Sequence, residues 1–410
     1  MPIADLHCHY PMHLLAEGEA KPDPVLRAMT SVKKKTPRWD KLKALLLKVA
    51  ARAFNFRRFC DTWRVDLDRL AEGKVKLVFS VLYMPDAEMN IEDWPNGSPD
   101  DDYYSELIAL VRTVNESLEG DGTPAQRKAV VVKAPADLEL APGDDLPRFA
   151  HCIEGGFHLG GTASQIDTRV AELASAGVAY ITLAHLFWRQ VATNAPALPF
   201  LTDGQYRYLF PQPREVGLNE LGRVAVAAMH RHRVLVDISH MSEAAIRDTF
   251  ALLKELDCRH GTEPKEFPVI ATHAGYRFGE QSYMLNAETI EAIAARGGVI
   301  GLIMAHHQLN DGLFRHPGDL TRTLASMHAH IDAIREITGS HEHVGIGSDL
   351  DGFIKPTVGG IEYANDLGKL IEPLEATYGA EAAADILYGN ALRALEKTLT
   401  GTAYPAPGVG

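Results

Sequence analysis

The stretch "ADLHCHYPMH", residues 4 to 13, holds three histidines and an aspartate. His7 and His9 are two residues apart, and side chains at that spacing in an extended strand point to one side. That geometry suits a metal ion. Other metal-competent residues close further short β-rich runs: Glu154 ends the third, His240 the fifth, His273 the sixth and Asp349 the eighth. One histidine at a strand end is ordinarily a packed core residue. Four of them with two carboxylates, all at the same kind of position, predict a metal site.

A catalytic zinc keeps three protein ligands and an open position, so five candidate ligands exceed the needs of one ion. They predict two divalent ions, most simply Zn2+, about 3.5 to 4 Å apart and sharing a carboxylate. Glu154 is the expected bridge, because its strand lies between the two histidine groups and "EGG" leaves its neighbours without bulk. His7, His9 and Glu154 are then assigned to one ion, and Glu154, His240 and His273 to the other. A water shared by two such ions ionises near neutral pH, as zinc-bound water does with a pKa of about 7, and attacks a carbonyl.

Asp349 is expected to take that proton and pass it to the leaving nitrogen, as general base and then general acid. Asp351, in the same "SDLDG", is its rival, and Asp349 is favoured because it lies nearer the strand. His185 closes the fourth run in "YITLAHLFW". An imidazole there is suited to hydrogen-bond an oxyanion, with an ordinary structural role as the alternative. His306 and His307 read as rim residues, whereas His151 and His158 alternate wrongly or lie in a loop.

These residues must be positioned by a repeating scaffold. Candidate strands run from Ile3 to His9, Leu77 to Tyr83, Ala150 to Glu154, Tyr180 to His185, Val234 to His240, Val269 to His273, Gly298 to Met304 and Val344 to Asp349. Between them lie helical stretches such as "DTRVAELASAG", "ELGRVAVAAMHRH" and "LASMHAHIDAIREITG", which stop near glycine or basic residues. Eight strands alternating with helices predict an α/β fold, a (β/α)8 TIM-type barrel, in which strand C-termini gather the catalytic loops. Residues 1–400 are expected to form one domain. Residues 17–62 interrupt the alternation, and Lys33 to Arg58 holds ten basic residues against Asp40, which predicts a solvated helical insertion over one rim. A surface for a membrane or a partner is the less common use of such a basic helix. The tail 401–410 reads as loose.

Composition narrows the remaining classes. The 46% hydrophobic and 23% charged content is that of an ordinary globular chain. A net charge of −13 argues against nucleic acid, whose phosphates need a basic face. Cys8, Cys60, Cys152 and Cys258 form no CxxC pair and are too sparse for a disulfide framework. With no apolar run long enough to span a membrane and no secretory pattern at the N-terminus, a cytoplasmic location is expected.

Taken together, "DLHCHY", "IEGG" at 153–156, "YITLAH" at 180–185, "GLNELGRVAVAAMHRHRVLVDISHMS" at 217–242, "PVIATHAGYR" at 268–277, "HVGIGSDLDG" at 343–352 and "GNALRALE" at 389–396 resemble the renal (membrane) dipeptidase family of the amidohydrolase superfamily. The resemblance implies a binuclear zinc barrel hydrolase that cleaves dipeptides, with Glu154 as bridging ligand, His240 and His273 on the second metal, Asp349 as acid/base and His185 in contact with substrate. It also implies a homodimer. Two departures stand out. The family carries His-x-Asp on its first strand, whereas this chain has His7-Cys8-His9, which removes one negative charge beside the first ion and should make its water more acidic. The family's carboxylate-gripping arginine is also missing: Met284 or Leu285 stands in its place, and Arg277 is the nearest substitute for substrate binding. A carboxylate buried without a guanidinium is costly.

The leading expectation is metal-dependent hydrolysis of an amide in a dipeptide or dipeptide-like small molecule. A related amidohydrolase acting on N-acyl amino acids, lactams or lactones is the alternative. A catalytically silent, metal-stabilised binding module is the alternative of another class, and the free carboxylate of Asp349 speaks against it.

Overall fold

The computed structural model describes residues 1–15, 45, 63–83, 88, 101–120, 123, 126–139, 145–316, 318–352 and 357–401. The expected basic insertion and the tail lie outside the described residues, except for Leu45 and Gly401.

Eight strands form a closed ring: β1 (Ile3–Cys8), β2 (Val75–Leu82), β3 (Arg148–Glu154), β4 (Val178–Thr182), β5 (Leu235–Asp237), β6 (Val269–Ala274), β7 (Ile300–Leu302) and β8 (Val344–Ile346). Neighbours in sequence pair in parallel, and β1 pairs with β8, so no edge is left open. A short strand, Val130–Val131, adds to the start of β3. The longer helices are α1 (Asp101–Glu119), α2 (Ala163–Ser175), α3 (Glu220–His232), α4 (Glu243–His260), α5 (Ala287–Ala295), α6 (Leu320–Thr338) and α7 (Asn390–Thr400). This is the expected (β/α)8 barrel.

The strands read as nearly continuous apolar runs because both of their faces are covered. Ala4, Leu6, Leu77, Phe79, Ala150, Cys152 and Tyr180 point inward and pack with Ala391, Ala394 and Leu395 of α7. Val78, Phe149 and Ile181, which alternate with these along their strands, pack in one cluster with Val170 and Leu173 of α2, Val226 of α3 and Leu253 of α4. Each such side chain contributes about 1.5–3 kcal/mol on full burial. Helix starts are set by side-chain caps: Asn219, Ser242, Asn286 and Asp319 accept from backbone N–H groups in the first turns of α3, α4, α5 and α6.

β1 stops at Cys8, one residue short of His9, and three strands stop further short of the histidine or aspartate expected to end them. β4 ends at Thr182, β5 at Asp237 and β8 at Ile346, three residues before His185, His240 and Asp349 respectively. His240 and Asp349 take left-handed backbone angles, φ 64° and 54°. The chain turns out of the sheet there, and these residues sit on the loops above the strand ends. Non-glycine residues in that region are disfavoured and persist where surrounding contacts hold them.

Candidate metal centre

The centre assembles around Glu154, the last residue of β3. Its carboxylate is 1% exposed, and neither oxygen has a hydrogen-bond partner among the described residues. Instead it is ringed by imidazole nitrogens. His7 Nε2 is 3.4 Å from Oε1 and His9 Nε2 3.4 Å from Oε2. His240 and His273 present Nε2 at 3.6 Å from Oε1, and His185 Nε2 lies 3.3 Å from Oε2.

β1 delivers His7 and His9 through an irregularity. Its register against β2 shifts between Asp5 and Cys8. Below the shift the even-numbered Ala4 and Leu6 face the barrel interior; above it the odd-numbered histidines reach the mouth. A bulge re-aims side chains in this way. Asp5 secures the segment by accepting from His7 N at 3.2 Å and from Ser348 N at 2.8 Å, which ties β1 to the turn that carries Asp349. Asp349 N in turn donates to His7 O at 2.7 Å. Asp349 Oδ1 thus comes to 3.2 Å from His9 Nε2 and 3.9 Å from His7 Nε2.

The electrostatics are those of a cation site. His7 and His9 bring their Nε2 atoms to 3.3 Å, and His240 and His273 bring theirs to 2.9 Å. Burial and the facing rings hold His240 and His273 well below the usual histidine pKa, so both are neutral bases. Burial opposes charge on Glu154, but the imidazoles of His185 and His7 hold its carboxyl well below the ordinary range. An ionised carboxylate buried without donors is costly unless a cation compensates it. Buried carboxylate oxygens without partners and neutral nitrogens turned toward one another form a donor set that fits divalent metal. Among the described residues, His7, His9 and Asp349 form one metal-competent group, and Glu154, His185 and His240 another.

His185 is held from behind. Its Nδ1 is 2.5 Å from Glu88 Oε2, and the same oxygen accepts from Tyr83 Oη at 2.7 Å. Burial would lower the pKa of His185, yet the Glu154 and Glu88 carboxylates lift it to about 9. Glu88 is a residue that the sequence reading missed. It follows β2 by six positions in "MPDAEMN" and carries no spacing signal that would single it out from the acidic residues around it. Thr272 and Asp237, behind the histidines, were missed as well. The only hint was their place beside His273 and three residues before His240.

The remaining expectations divide. Asp351 is turned away from the centre, accepting from Arg64 N and Val65 N, both at 2.9 Å. That separates it from Asp349 on a contact absent from sequence. His151 Nε2 bonds Asn115 Oδ1 of α1 at 2.7 Å, outside the barrel. Arg277 is held by its own chain: Nη1 donates to Glu243 Oε1 at 2.7 Å, Nε to Met284 O at 2.7 Å and Nη2 to Ser282 O at 3.0 Å. The guanidinium braces the loop after β6 against the start of α4.

The closed parallel barrel carries its buried cluster of histidines and carboxylates at the C-terminal mouth, the face where such barrels gather functional side chains. The chain belongs to the membrane dipeptidase family, peptidase family M19, matching it over residues 26–403. It is 31% identical over 244 residues to an uncharacterized dipeptidase of Schizosaccharomyces pombe, covering 57% of this chain and 50% of that one. It is 26% identical to dipeptidase 3 of Rattus norvegicus, covering 59% and 43%. The chain thus spans about half the length of these curated relatives. A solved metallo peptidase of the family, a dipeptidase, superposes with a TM-score of 0.68 at 19% identity, over 98% of this chain and 99% of that one. A metallo peptidase from Rhodobacter sphaeroides, liganded with a phosphinate mimic of the dipeptide L-Ala-D-Ala, gives 0.66 at 19% identity, over 97% and 99%. At that identity the likeness supports the barrel fold. No helix among the described residues is long and apolar enough to cross a membrane.

Proposed function

We propose that the protein is a metal-dependent dipeptidase that hydrolyses the amide bond of dipeptides or dipeptide-like small molecules. The observation that carries this is Glu154, a buried carboxylate with no hydrogen-bond donor among the described residues and five imidazole nitrogens within 3.6 Å. Membership of the dipeptidase family and the dipeptide mimic bound by the Rhodobacter relative support the substrate class.

His7, His9 and Glu154 would hold one ion, and Glu154, His240 and His273 the second, with zinc suited to a nitrogen-rich set. Such a pair, when bound, supplies Lewis-acid polarisation of the scissile carbonyl and a water nucleophile at neutral pH. Asp349 Oδ1, beside His9 Nε2, takes the proton from the attacking water and returns it to the leaving nitrogen. His185 is steadied on Glu88 and directs its Nε2 edge to the same centre, where it meets the carbonyl oxygen as charge develops.

One observation favours a second reading. Three of the five N–H donors of Arg277 are engaged by Glu243, Ser282 and Met284, so an unshared ion pair between Arg277 and a substrate carboxylate requires that brace to rearrange. Substrates without that carboxylate, lactams and lactones among them, need no such rearrangement.

The test is Asp349→Asn in metal-replete protein, assayed on a panel of dipeptides, N-acyl amino acids, lactams and lactones. The expected result is hydrolysis of dipeptides by the parent, and a variant with unchanged metal content and turnover reduced by about 10²–10⁴-fold. Parental turnover in the variant would refute the acid/base role. Activity confined to lactams or lactones would favour the second reading.

A further inference from the structure

The histidines assigned to the two ions are not independent: His7 and His273 lean on the same hydroxyl. Thr272 Oγ1 lies 3.0 Å from His7 Nδ1 and 2.9 Å from His273 Nδ1. It also lies 2.7 Å from Asp237 Oδ2. A hydroxyl has one proton to donate and two lone pairs to accept with. Asp237 as a carboxylate only accepts, so the Thr272 proton goes to it. Both imidazole contacts must then be N–H groups donating to Thr272. That puts a proton on Nδ1 of His7 and of His273 and makes Nε2, on the side of Glu154, the nitrogen available to a metal.

Asp237 is equipped to hold this arrangement. Its Oδ2 also accepts from Thr182 Oγ1 at 2.6 Å. Its Oδ1 accepts from Ser239 Oγ at 2.8 Å and from the backbone N–H groups of Ser239 and Thr272, both at 3.0 Å. With its oxygens so occupied, Asp237 is an orienting group, and the metal-competent trio His7, Asp237 and His273 marks the back of the centre instead of a further ion site. The backbone at Thr272 is seated by its neighbours. A Cβ on Gly301 would sit 2.0 Å from Thr272 O, and one on Gly347 would sit 1.7 Å from it, so β7 and the residue after β8 need glycine there to approach β6.

The support is unequal. His7 Nδ1 has a second acceptor in Tyr180 Oη at 2.9 Å, whose own proton goes to Leu6 O at 2.9 Å. His273 Nδ1 has Thr272 alone among the hydrogen bonds of the described residues, and His240 Nδ1 has no partner among them.

We propose that Thr272 is a positioning residue for both halves of the metal centre, with one hydroxyl setting the tautomer of a ligand to each ion, and that the ion on His240 and His273 depends on it more. The proposal rests on the two-ion reading above. Loss of a hydrogen bond behind a metal-bound histidine typically weakens metal binding by about 10–100-fold.

The experiment titrates metal-stripped full-length protein with Zn2+ against a chromogenic chelator, which reads affinity without reference to turnover. For Thr272→Val we expect one of two ions to bind about 10–100-fold more weakly, the other to change less, and Thr272→Ser to restore both. Adding Tyr180→Phe to Thr272→Val should weaken the ion on His7 and His9 too. Thr182→Val removes a hydroxyl from the same carboxylate but not from the histidines, and should stay near the parent. Thr272→Ala serves if the valine variant does not fold. Parental affinity for both ions in Thr272→Val or Thr272→Ala, equal loss in Thr272→Ser, or equal loss in Thr182→Val would overturn the proposal. A parent that takes up no ion would sink the two-ion reading and this inference with it, whereas a two-ion parent with an unaffected variant sinks this inference alone.

Discussion

At the scale of single residues, the centre depends on how closely the chain approaches itself. Gly352 shows this. A Cβ at that position would stand 1.9 Å from Asp349 Oδ1 and 3.0 Å from His9 Cδ2. Gly352→Ala therefore pushes the Asp349 carboxylate off its place beside His9 without touching the barrel core. A displacement of about 1 Å at a reacting group can cost 10²-fold in rate. The expectation is a turnover loss of about that size, with metal content and melting temperature near those of the parent. Undiminished kcat on the best dipeptide would show that the position of Asp349 does not matter.

At the scale of elements, loops above the strand ends are fixed by buried histidines that must stay neutral. His330 of α6 is fully buried; its Nδ1 accepts from Tyr276 N at 3.0 Å and its Nε2 donates to Leu309 O at 2.8 Å. Burial pushes its pKa down to about 4. The folded-state pKa lies below the unfolded value of about 6.5, so the folded state resists protonation. His330 thus contributes stability that is full above pH 6.5 and is lost as pH falls through 4, on the order of 3 kcal/mol across the window. Thermal melts of the parent should drop more steeply between pH 6.5 and 4 than those of His330→Asn, which keeps an acceptor for Tyr276 N but cannot take a proton. Parallel curves for the two proteins would contradict this. The same scale shows where reading by pattern stopped. Apolar runs and helix stops located all eight strands, yet β4, β5 and β8 end three residues early because His185, His240 and Asp349 belong to turns. Strand propensity extends a run to the last apolar residue; left-handed φ angles at His240 and Asp349 come from loop packing that propensity does not contain.

At the scale of the whole molecule, the barrel brings together side chains from six of its eight strand ends around a carboxylate that burial alone would disfavour. An ion that binds the folded protein and not the unfolded chain stabilises the fold, by about 4 kcal/mol at a thousandfold excess over Kd. Stripping the protein with a chelator is expected to lower its melting temperature, and readdition of Zn2+ to restore it. Identical melts of stripped and refilled protein would argue that the centre holds no ion in the folded state.

The amino-acid sequence by itself determined the eight-strand alternation, the histidine pair at His7 and His9, and the identity of every imidazole now found around Glu154. These are local properties of periodicity and residue type. Only the tertiary structure sets Asp349 beside His9 and turns Asp351 away to cap the backbone of residues 64–65, nearly 290 positions away in the chain. It alone also brought Glu88 behind His185, engaged Arg277 with Glu243, and set Thr272 between two histidines. Each of those is a contact between residues far apart in sequence, created by closure of the ring and invisible to any pattern shorter than the barrel itself.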